Sequence, residues 1–320
     1  MKKILRLSAT AVVTALLVGL GSTVWAAWPA IQAKMDGRAT ECSWAEVLAL
    51  PRFATTQTAR IAENEAALEL VGEDKALGLL HFKHQDRSFW VGKEGHGLGG
   101  KHLLAVLLAD HANDARAAGD RHVRKGDVVL DIGGHVGVFT AQALRQGAAK
   151  VVTVEPNPAN IECLRRNFAR EIAEGRVVIH PKGAWSEATT LTFHESLDNS
   201  GMHSAVIGRD GTEIKVEVEP IDQIVAQHQL QRVHFIKMDI EGSEREALKG
   251  AKRVLAESRP RLMIDVYHRP DDMPRIRELL PDYIYQTNGC RDCDEDPSRI
   301  VPRVGFWTPS GDGQAVRASF

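Results

Sequence analysis

Apolar residues along this chain follow two repeating patterns from about residue 125 onward. Short apolar runs, typical of strands buried on both faces, predict strands at 128–132, 151–155, 177–180, 235–239 and 261–266. Apolar positions at helical spacing predict helices between them, at 137–146, 158–172, 220–228 and 243–256. Strands that alternate with helices form a parallel sheet covered by helices on both faces. The predicted fold class is therefore α/β.

Further elements are predicted on either side of this core. Late strands at 283–286 and 304–307 predict an antiparallel edge, and strands at 191–194 and 214–218 predict an inserted hairpin. The region before the core is predicted to hold a helix at 44–50 that Ser43 caps and Pro51 ends, strands at 79–82 and 88–91, and a helix at 101–117. This last helix either packs on the sheet or closes over a pocket.

Composition narrows the class of protein. The chain has 320 residues, 43% hydrophobic and 26% charged, as in ordinary globular proteins that can bury a sizeable core. A net charge of −2 argues against a dedicated nucleic-acid-binding protein, which usually carries a basic excess. We therefore expect no nucleic-acid partner.

The N-terminus departs from this average. A basic start, Met1 to Arg6, precedes an uncharged stretch from Leu7 to Ala33. This pattern predicts either a signal peptide cleaved after Ala26 or an uncleaved membrane anchor. In both cases the remainder should cross the membrane. The sequence therefore predicts an exported protein, periplasmic or secreted, or one anchored by a single span, with possible membrane association through the N-terminus.

The spacing of the cysteines does not predict a metal site. Cys290 and Cys293 form a lone Cys-x-x-Cys pair, whereas a zinc site needs two further ligands. In an exported chain this pair could form a disulfide, and free thiols are the alternative. Cys42 has no obvious partner, and Cys163 is expected to be a packing residue. The metal prediction is therefore none.

The stretch 128–140 predicts a strand, a glycine turn and the start of a helix. Gly133, Gly134 and Gly137 follow the strand directly, and glycine lets a ligand approach the backbone without meeting a Cβ. The next strand ends in Glu155, where a carboxylate would meet a ribose diol. These features together predict a site for an adenosine-containing ligand.

Four interpretations of the glycine turn can be compared. The glycine spacing fails the dinucleotide fingerprint, and the turn lacks the Lys of a P-loop. Asp131, Gly133 and Gly137 fit the strand-Asp-x-Gly-x-x-x-Gly pattern of class I S-adenosylmethionine-dependent methyltransferases. A turn that merely packs a helix on a strand remains the plain structural alternative. A nicotinamide dehydrogenase is disfavoured by the same spacing.

A second polar segment, Lys237-Met-Asp-Ile-Glu241, follows the fourth predicted core strand. In a strand, Lys237, Asp239 and Glu241 would share one side, and burying three charges without partners is costly. A pocket explains them better than a core. Asp239 is a candidate general base or acceptor-orienting residue, and His268, at the end of the next strand, is the other candidate base. A Lys237–Asp239 salt bridge and a structural histidine are the alternatives.

Several motifs together resemble the FkbM family of methyltransferases. They are Asp-Ile-Gly-Gly-His-Val-Gly-Val-Phe-Thr (131–140), Val-Glu-Pro-Asn-Pro (154–158), Ile-Lys-Met-Asp-Ile-Glu-Gly-Ser-Glu (236–244) and Leu-Lys-Gly-Ala (248–251). The resemblance covers roughly residues 120–290. It departs from the family at His135, where the family often has Asn.

The resemblance implies a Rossmann-like class I methyltransferase fold and S-adenosylmethionine as cofactor. It also implies O-methylation of a hydroxyl on a sugar or small natural product, so the partner would be a small-molecule or glycan acceptor. The expected catalytic residues are Asp239, His268 and Glu241. The expected cofactor-binding residues are Asp131, Gly133, Gly134, His135, Gly137, Glu155, Pro156 and Asn157. The loop 181–186 would meet the adenine, with Trp185 either in contact with it or in the core.

The predicted organisation has three parts: a targeting segment or anchor (1–27), an N-terminal helical and hairpin extension (28–119) and the methyltransferase domain (120–320). One alternative function stays open. Because S-adenosylmethionine is made in the cytoplasm, an exported chain could be a non-catalytic binding module that keeps the methyltransferase fold.

Overall fold

A computed structural model describes residues 25–93, 99–118, 121–196, 203–204 and 211–311. Within these ranges the largest sheet has seven strands in the order β13-β16-β12-β11-β4-β5-β6. Its parallel strands are β4 (Val128–Ile132), β5 (Lys150–Val154), β6 (Val177–His180), β11 (Phe235–Met238) and β12 (Arg261–Asp265), and its antiparallel edge is β13 (Tyr283–Thr287) with β16 (Val304–Pro309). The α/β fold class and the antiparallel edge are both confirmed.

Helices cover both faces of this sheet. They are α4 (Val138–Arg145), α5 (Pro158–Asn167), α6 (Ala169–Ala173), α7 (Ile221–Gln227), α8 (Glu244–Lys249), α9 (Lys252–Glu257) and α10 (Asp272–Leu279). Alternate residues of each strand enter two separate apolar clusters, as Val129 and Leu130 do on β4. Two predicted helices are each divided in two. The stretch 158–172 breaks at Phe168, and 243–256 breaks at Gly250–Ala251.

The N-terminal extension packs against the sheet domain. It contains α1 (25–35), α2 (Trp44–Ala67), a meander of β1 (Glu69–Asp74), β2 (Leu79–His84) and β3 (Arg87–Gly92), and α3 (Gly99–Ala118). The predicted hairpin around Gln85 is confirmed, and β1 was missed. Phe82 and Phe89 share one apolar cluster with Val129 and Phe139, so this meander completes the core on one face of the sheet.

The prediction that Pro51 ends a helix is wrong. Ser43 does cap the helix, in a capping box with Glu46, but α2 continues through Pro51 to Ala67. An internal proline costs about 3 kcal/mol of helix stability. Contacts with α3 offset this cost, because Gln57 donates to Asp110 and Asn64 donates to the Ala105 carbonyl.

The smaller strands lie near the ends of the sheet domain. The predicted inserted hairpin is confirmed as β8 (Thr189–Ser196) paired antiparallel with β10 (Gly211–Glu219), with the short β7 (Gly183–Ala184) and β9 (His203–Ser204) beside them. A further pair, β14 (Cys290–Asp292) and β15 (Ile300–Pro302), was missed.

The cysteine pairing differs from the prediction. Cys290 forms a disulfide with Cys42, whereas Cys293 is a buried free thiol, so a Cys290–Cys293 bridge is wrong. The β14–β15 pair places Cys290 and Ile300 in an apolar cluster with Ala39, Cys42 and Val47. A contact across 248 residues of sequence leaves no local signal. Cys163 is buried and free, as expected of a packing residue.

The predicted targeting segment, residues 1–27, lies outside the described residues except for 25–27, which belong to α1. Among the described helices, none combines the length and apolar character that a transmembrane span requires.

Candidate active site

A cavity of about 330 Å³ opens at the carboxyl ends of β4, β5, β11 and β12. This is where open parallel sheets bind their ligands. One wall is the face of α3, which contributes Leu103, Leu107, Asp110, His111 and Asp114. The helix before the core therefore does line the pocket, in addition to packing on the sheet through Leu104 and Ala105.

The glycine turn after β4 forms part of the cavity wall at Gly133. This residue has φ +80°, and a Cβ built on it would lie 1.9 Å from the Asp239 carbonyl oxygen. The carbonyl of Gly133 also accepts a hydrogen bond of 2.9 Å from Lys237 Nζ. Only glycine therefore lets the turn lie against the segment that follows β11.

Glu155 lies on the same wall and is held by backbone donors. Its carboxylate accepts hydrogen bonds from the His135 and Asn157 amides, each 2.9 Å long, and from Asn160 Nδ2 at 3.3 Å. Glu155 is 6% exposed and borders the cavity. Burial raises its pKa above the ordinary value, and these donors limit the rise. Each carboxylate oxygen retains acceptor capacity for a ligand hydroxyl.

The structure divides the predicted cofactor residues into two groups. The cavity wall contains Gly133, His135, Glu155 and Pro156. The other four, Asp131, Gly134, Gly137 and Asn157, lie behind that wall.

The glycines in the second group serve packing. Gly137 has φ +90° at the start of α4, and an added Cβ would lie 2.2 Å from the Phe168 ring. An added Cβ on Gly134 would lie 1.9 Å from Thr153 Oγ1. Asn157 caps α5 by accepting from the Ala159 amide at 2.8 Å. These three residues therefore position the wall without bordering the cavity.

Asp131 lies fully buried beneath the turn. Its carboxylate accepts a hydrogen bond of 2.7 Å from Thr140 Oγ1, and its other oxygen lies 3.7 Å from Lys237 Nζ. Burial raises the pKa of Asp131, opposed by Lys237 and by the Thr140 hydrogen bond. Asp131 thus ties β4 to α4 and to β11.

The polar segment after β11 does not continue as a strand. The strand ends at Met238, and Asp239, Ile240 and Glu241 form a turn in which Glu241 has φ +55°. The prediction that Lys237, Asp239 and Glu241 share one strand face is therefore wrong. The turn nevertheless places both Asp239 and Glu241 on the cavity wall.

Lys237 and Asp239 form an ion pair, as one alternative predicted. Lys237 Nζ lies 3.8 Å from Asp239 Oδ2, and the Asp239 side chain is 27% exposed. Burial alone would raise the pKa of Asp239, but the charges of Lys237 and His268 bring it below the ordinary value. Asp239 is therefore an ionised carboxylate that faces the cavity.

His268 lies behind this acidic turn. It follows β12 by three residues instead of ending the strand, and it is fully buried. Its Nε2 lies 3.6 Å from Asp239 Oδ1 and 3.8 Å from Glu241 Oε2, and its Nδ1 lies 3.2 Å from Glu244 Oε1. Burial alone would lower the pKa of His268, but the three carboxylates raise it well above the ordinary value. A protonated imidazole has no lone pair with which to act as a base.

The sequence prediction missed several polar residues of this cavity. Asp265, the last residue of β12, borders it at 8% exposure, and burial and the neighbouring Asp239 raise its pKa well above the ordinary value. Its place at a strand end was a signal that could have found it. Arg303, the residue before β16, and Asp114 of α3 form a buried ion pair, and no such signal marked either of them in the sequence.

The loop 181–186 reaches the cavity through Gly183 and Ala184. Trp185 instead packs against Val216 and Val218, so the core alternative is the one that the structure supports.

Comparisons with known proteins relate this chain to methyltransferases. Residues 131–287 match the family model described as the methyltransferase FkbM domain. The chain is 27% identical over 187 residues to the 31-O-demethyl-FK506 methyltransferase FkbM of Streptomyces tacrolimicus, a match that covers 49% of this chain and 65% of that relative. It is 30% identical over 132 residues to the hexuronic acid methyltransferase AglP of Haloferax volcanii, covering 40% of this chain and 52% of that relative.

A solved structure of methyltransferase FkbM from Methylobacillus flagellatus KT is also similar, with 20% identity and a TM-score of 0.41 over 79% of this chain and 59% of that chain. The chain thus spans less than two thirds of the length of each of these three proteins. The matched region begins at Asp131 and includes Glu155, Asp239 and His268. Residues 131–287, just under half of the chain, therefore match the FkbM family of methyltransferases.

Proposed function

We propose that this chain is an S-adenosylmethionine-dependent O-methyltransferase whose acceptor is a hydroxyl of a sugar or small natural product. The observation that carries the proposal is one cavity whose wall holds two chemically different carboxylates. Glu155 is held by backbone donors, and Asp239 is ionised and partly exposed. The curated relatives named for an FK506 precursor and for a hexuronic acid motivate the acceptor class.

The residues present fit the proposed cofactor. A nucleoside needs acceptors for its ribose hydroxyls, and Glu155 offers two carboxylate oxygens that backbone donors already fix in place. The added-Cβ contact at Gly133 shows that the wall is closed to any larger residue. Gly133, His135 and Pro156 would then surround the nucleoside, and Gly183 and Ala184 would meet the adenine. When bound, the cofactor supplies an electrophilic methyl carbon.

Asp239 is the proposed catalytic residue. Its carboxylate is ionised and partly exposed, so it can accept a hydrogen bond from an acceptor hydroxyl and take its proton. The buried Lys237 Nζ lies 3.8 Å from Asp239 Oδ2 and donates a hydrogen bond of 2.9 Å to the Gly133 carbonyl, so one side chain ties Asp239 to the glycine turn. On the other side, His268 Nε2 lies within ion-pair distance of Asp239 Oδ1, at 3.6 Å.

We further propose that the chain is exported, or anchored at the membrane by its N-terminus. The basic and then uncharged N-terminal pattern motivates this location. The Cys42–Cys290 disulfide supports it, because disulfides persist mainly in oxidising compartments. Cell fractionation of the full chain with a tag at each terminus tests the location: cytoplasmic recovery of both tags on one uncut chain would contradict export.

The proposed reaction is tested by separating binding from turnover. Asp239→Asn should bind S-adenosylmethionine within about threefold of wild type in calorimetry, while methyl transfer to a panel of sugar and polyketide hydroxyls falls about 10²–10⁴-fold. Glu257→Gln, on the exposed face of α9, is the matched control and should change neither quantity. Equal losses of binding and turnover in Asp239→Asn would make the residue structural. Cofactor binding with no turnover by wild type on any acceptor would favour the non-catalytic binding module.

A further inference from the structure

Three potential ligand atoms converge beside the wall of the cavity. Asp239, Glu241 and His268 each offer one atom, and these atoms all lie within 4.8 Å of one another. The contacts from His268 Nε2 to the two carboxylates, 3.6 and 3.8 Å, are too long for hydrogen bonds. Two ligands bonded to one cation at about 2.1 Å lie roughly 3.0–3.4 Å apart. A movement of a few tenths of an ångström would bring His268 Nε2 to this spacing from each carboxylate, and the two carboxylate oxygens lie within 4.8 Å of each other.

The second observation is the state of His268 itself. The ring is fully buried, and neither of its nitrogens makes a hydrogen bond within the described residues. Buried polar atoms normally have a partner. Nε2 is the atom that faces the two carboxylates, so a buried nitrogen without a hydrogen-bond partner lies at the centre of the cluster.

A third carboxylate, that of Glu244, lies beside the other ring nitrogen of the histidine. Glu244 Oε1 lies 3.2 Å from His268 Nδ1 and also accepts a hydrogen bond of 2.8 Å from the Ile240 amide. Glu244 is fully buried, so this carboxylate is held in place. Metal-binding histidines characteristically place their second ring nitrogen against such a carboxylate.

A neighbouring cluster of Glu244, His268 and Asp272 is a weaker candidate. Both oxygens of Asp272 already accept hydrogen bonds, from Arg245 Nε at 2.7 Å and from the Arg269 amide at 2.8 Å. Asp272 is also fully buried and does not border the cavity. A cation there would have no open position for a substrate.

We propose that Asp239 Oδ1, Glu241 Oε2 and His268 Nε2 bind a divalent cation of the Mn²⁺ or Zn²⁺ type. One imidazole with two carboxylates suits these ions better than Mg²⁺ or Ca²⁺, which prefer oxygen ligands alone. The cation takes the place of the proton on Nε2.

Its role rests on the proposed function. Asp239 and Glu241 border the cavity, so the open coordination positions of the ion face the acceptor. An acceptor hydroxyl bound there is polarised by the cation. Its proton goes to Asp239 Oδ2, the oxygen on the Lys237 side that the cation leaves unused.

The direct test is calorimetric titration of the chelator-stripped full chain with MnCl₂, ZnCl₂ or MgCl₂, with Mn²⁺ electron paramagnetic resonance as a second readout. Wild type should bind one Mn²⁺ or Zn²⁺ per chain, at least tenfold tighter than Mg²⁺. Glu241→Gln and, separately, Asp239→Asn should weaken binding at least tenfold. Asp294→Asn, a cavity carboxylate outside the cluster, is the matched control and should stay within twofold. Circular dichroism and the unfolding midpoint check that each variant is folded.

The inference is overturned if wild type binds no cation, or if folded Glu241→Gln and Asp239→Asn variants both bind the cation as wild type does. Loss of binding in Asp272→Asn but not in Glu241→Gln would move the ion to the other cluster and overturn it as well. S-adenosylmethionine binding is measured on the same stripped protein. A protein that binds the cofactor but no cation would contradict only the proposed metal site. A protein that binds the cation but no cofactor would contradict only the proposed function.

Discussion

The clearest mutational prediction concerns the contact between the glycine turn and the segment after β11. In Gly133→Ala, the new Cβ would stand 1.9 Å from the Asp239 carbonyl oxygen. Ordinary contacts between such atoms are longer than about 3 Å, so the two segments must separate by about 1 Å or more. The alanine must also adopt φ +80°, which costs about 1–2 kcal/mol.

The chain offers a control that separates these two costs. Gly78 also has positive φ, +62°, but an added Cβ there would meet nothing within 4 Å. Gly78→Ala should therefore lose only the conformational term, about 1–2 kcal/mol of unfolding free energy. Gly133→Ala should lose about 2–4 kcal/mol, because overpacking adds a further 1–3 kcal/mol that backbone relaxation relieves in part.

Both variants are measured by urea unfolding and by calorimetric titration with S-adenosylmethionine. Gly133→Ala should lose at least tenfold in cofactor affinity, since the separation moves the cavity wall, whereas Gly78→Ala should bind as wild type does. The reasoning is refuted if Gly133→Ala is no less stable than Gly78→Ala and binds the cofactor normally.

Two further predictions concern parts of the fold outside the cavity. Burial lowers the pKa of His180 to about 4, so the unfolded chain takes up the proton more readily than the folded protein does. The contribution of neutral His180 to the unfolding free energy is therefore complete above the unfolded pKa of about 6.5 and is lost as the pH falls toward 4. Urea unfolding at pH 7 and at pH 4 measures this loss. The unfolding free energy of wild type should fall by about 3 kcal/mol more between the two pH values than that of His180→Gln does, and equal falls would contradict this account. Cys42→Ser should lower the unfolding free energy by about 2–4 kcal/mol by removing the disulfide to Cys290. Reductant should lower wild type to the same value and leave the variant unchanged; a wild type indifferent to reductant would show that the disulfide does not form.

Much of the sheet could be predicted from the sequence because buried parallel strands are short apolar runs. The runs at 128–132 and 261–266 located β4 and β12 to within one residue. The same logic placed Glu155 and Asp239 at strand ends, and both border the cavity.

Other features depended on information that no local pattern carries. The alternation from Lys237 to Glu241 failed because the strand ends at Met238 and positive φ at Glu241 turns the chain. His268 meets Asp239 only through the loop after β12. The pairing of Cys42 with Cys290 likewise follows from tertiary packing.

Glu155 tests the account most directly, because it is the residue assigned to the ribose hydroxyls. Glu155→Gln keeps the shape of the side chain but removes its charge and replaces one acceptor oxygen with a donor group. Calorimetric titration with S-adenosylmethionine should show at least a tenfold weaker affinity than wild type, while Glu162→Gln, on the outer side of α5, should bind unchanged. A Glu155→Gln variant that is folded and binds the cofactor as tightly as wild type would contradict the central claim.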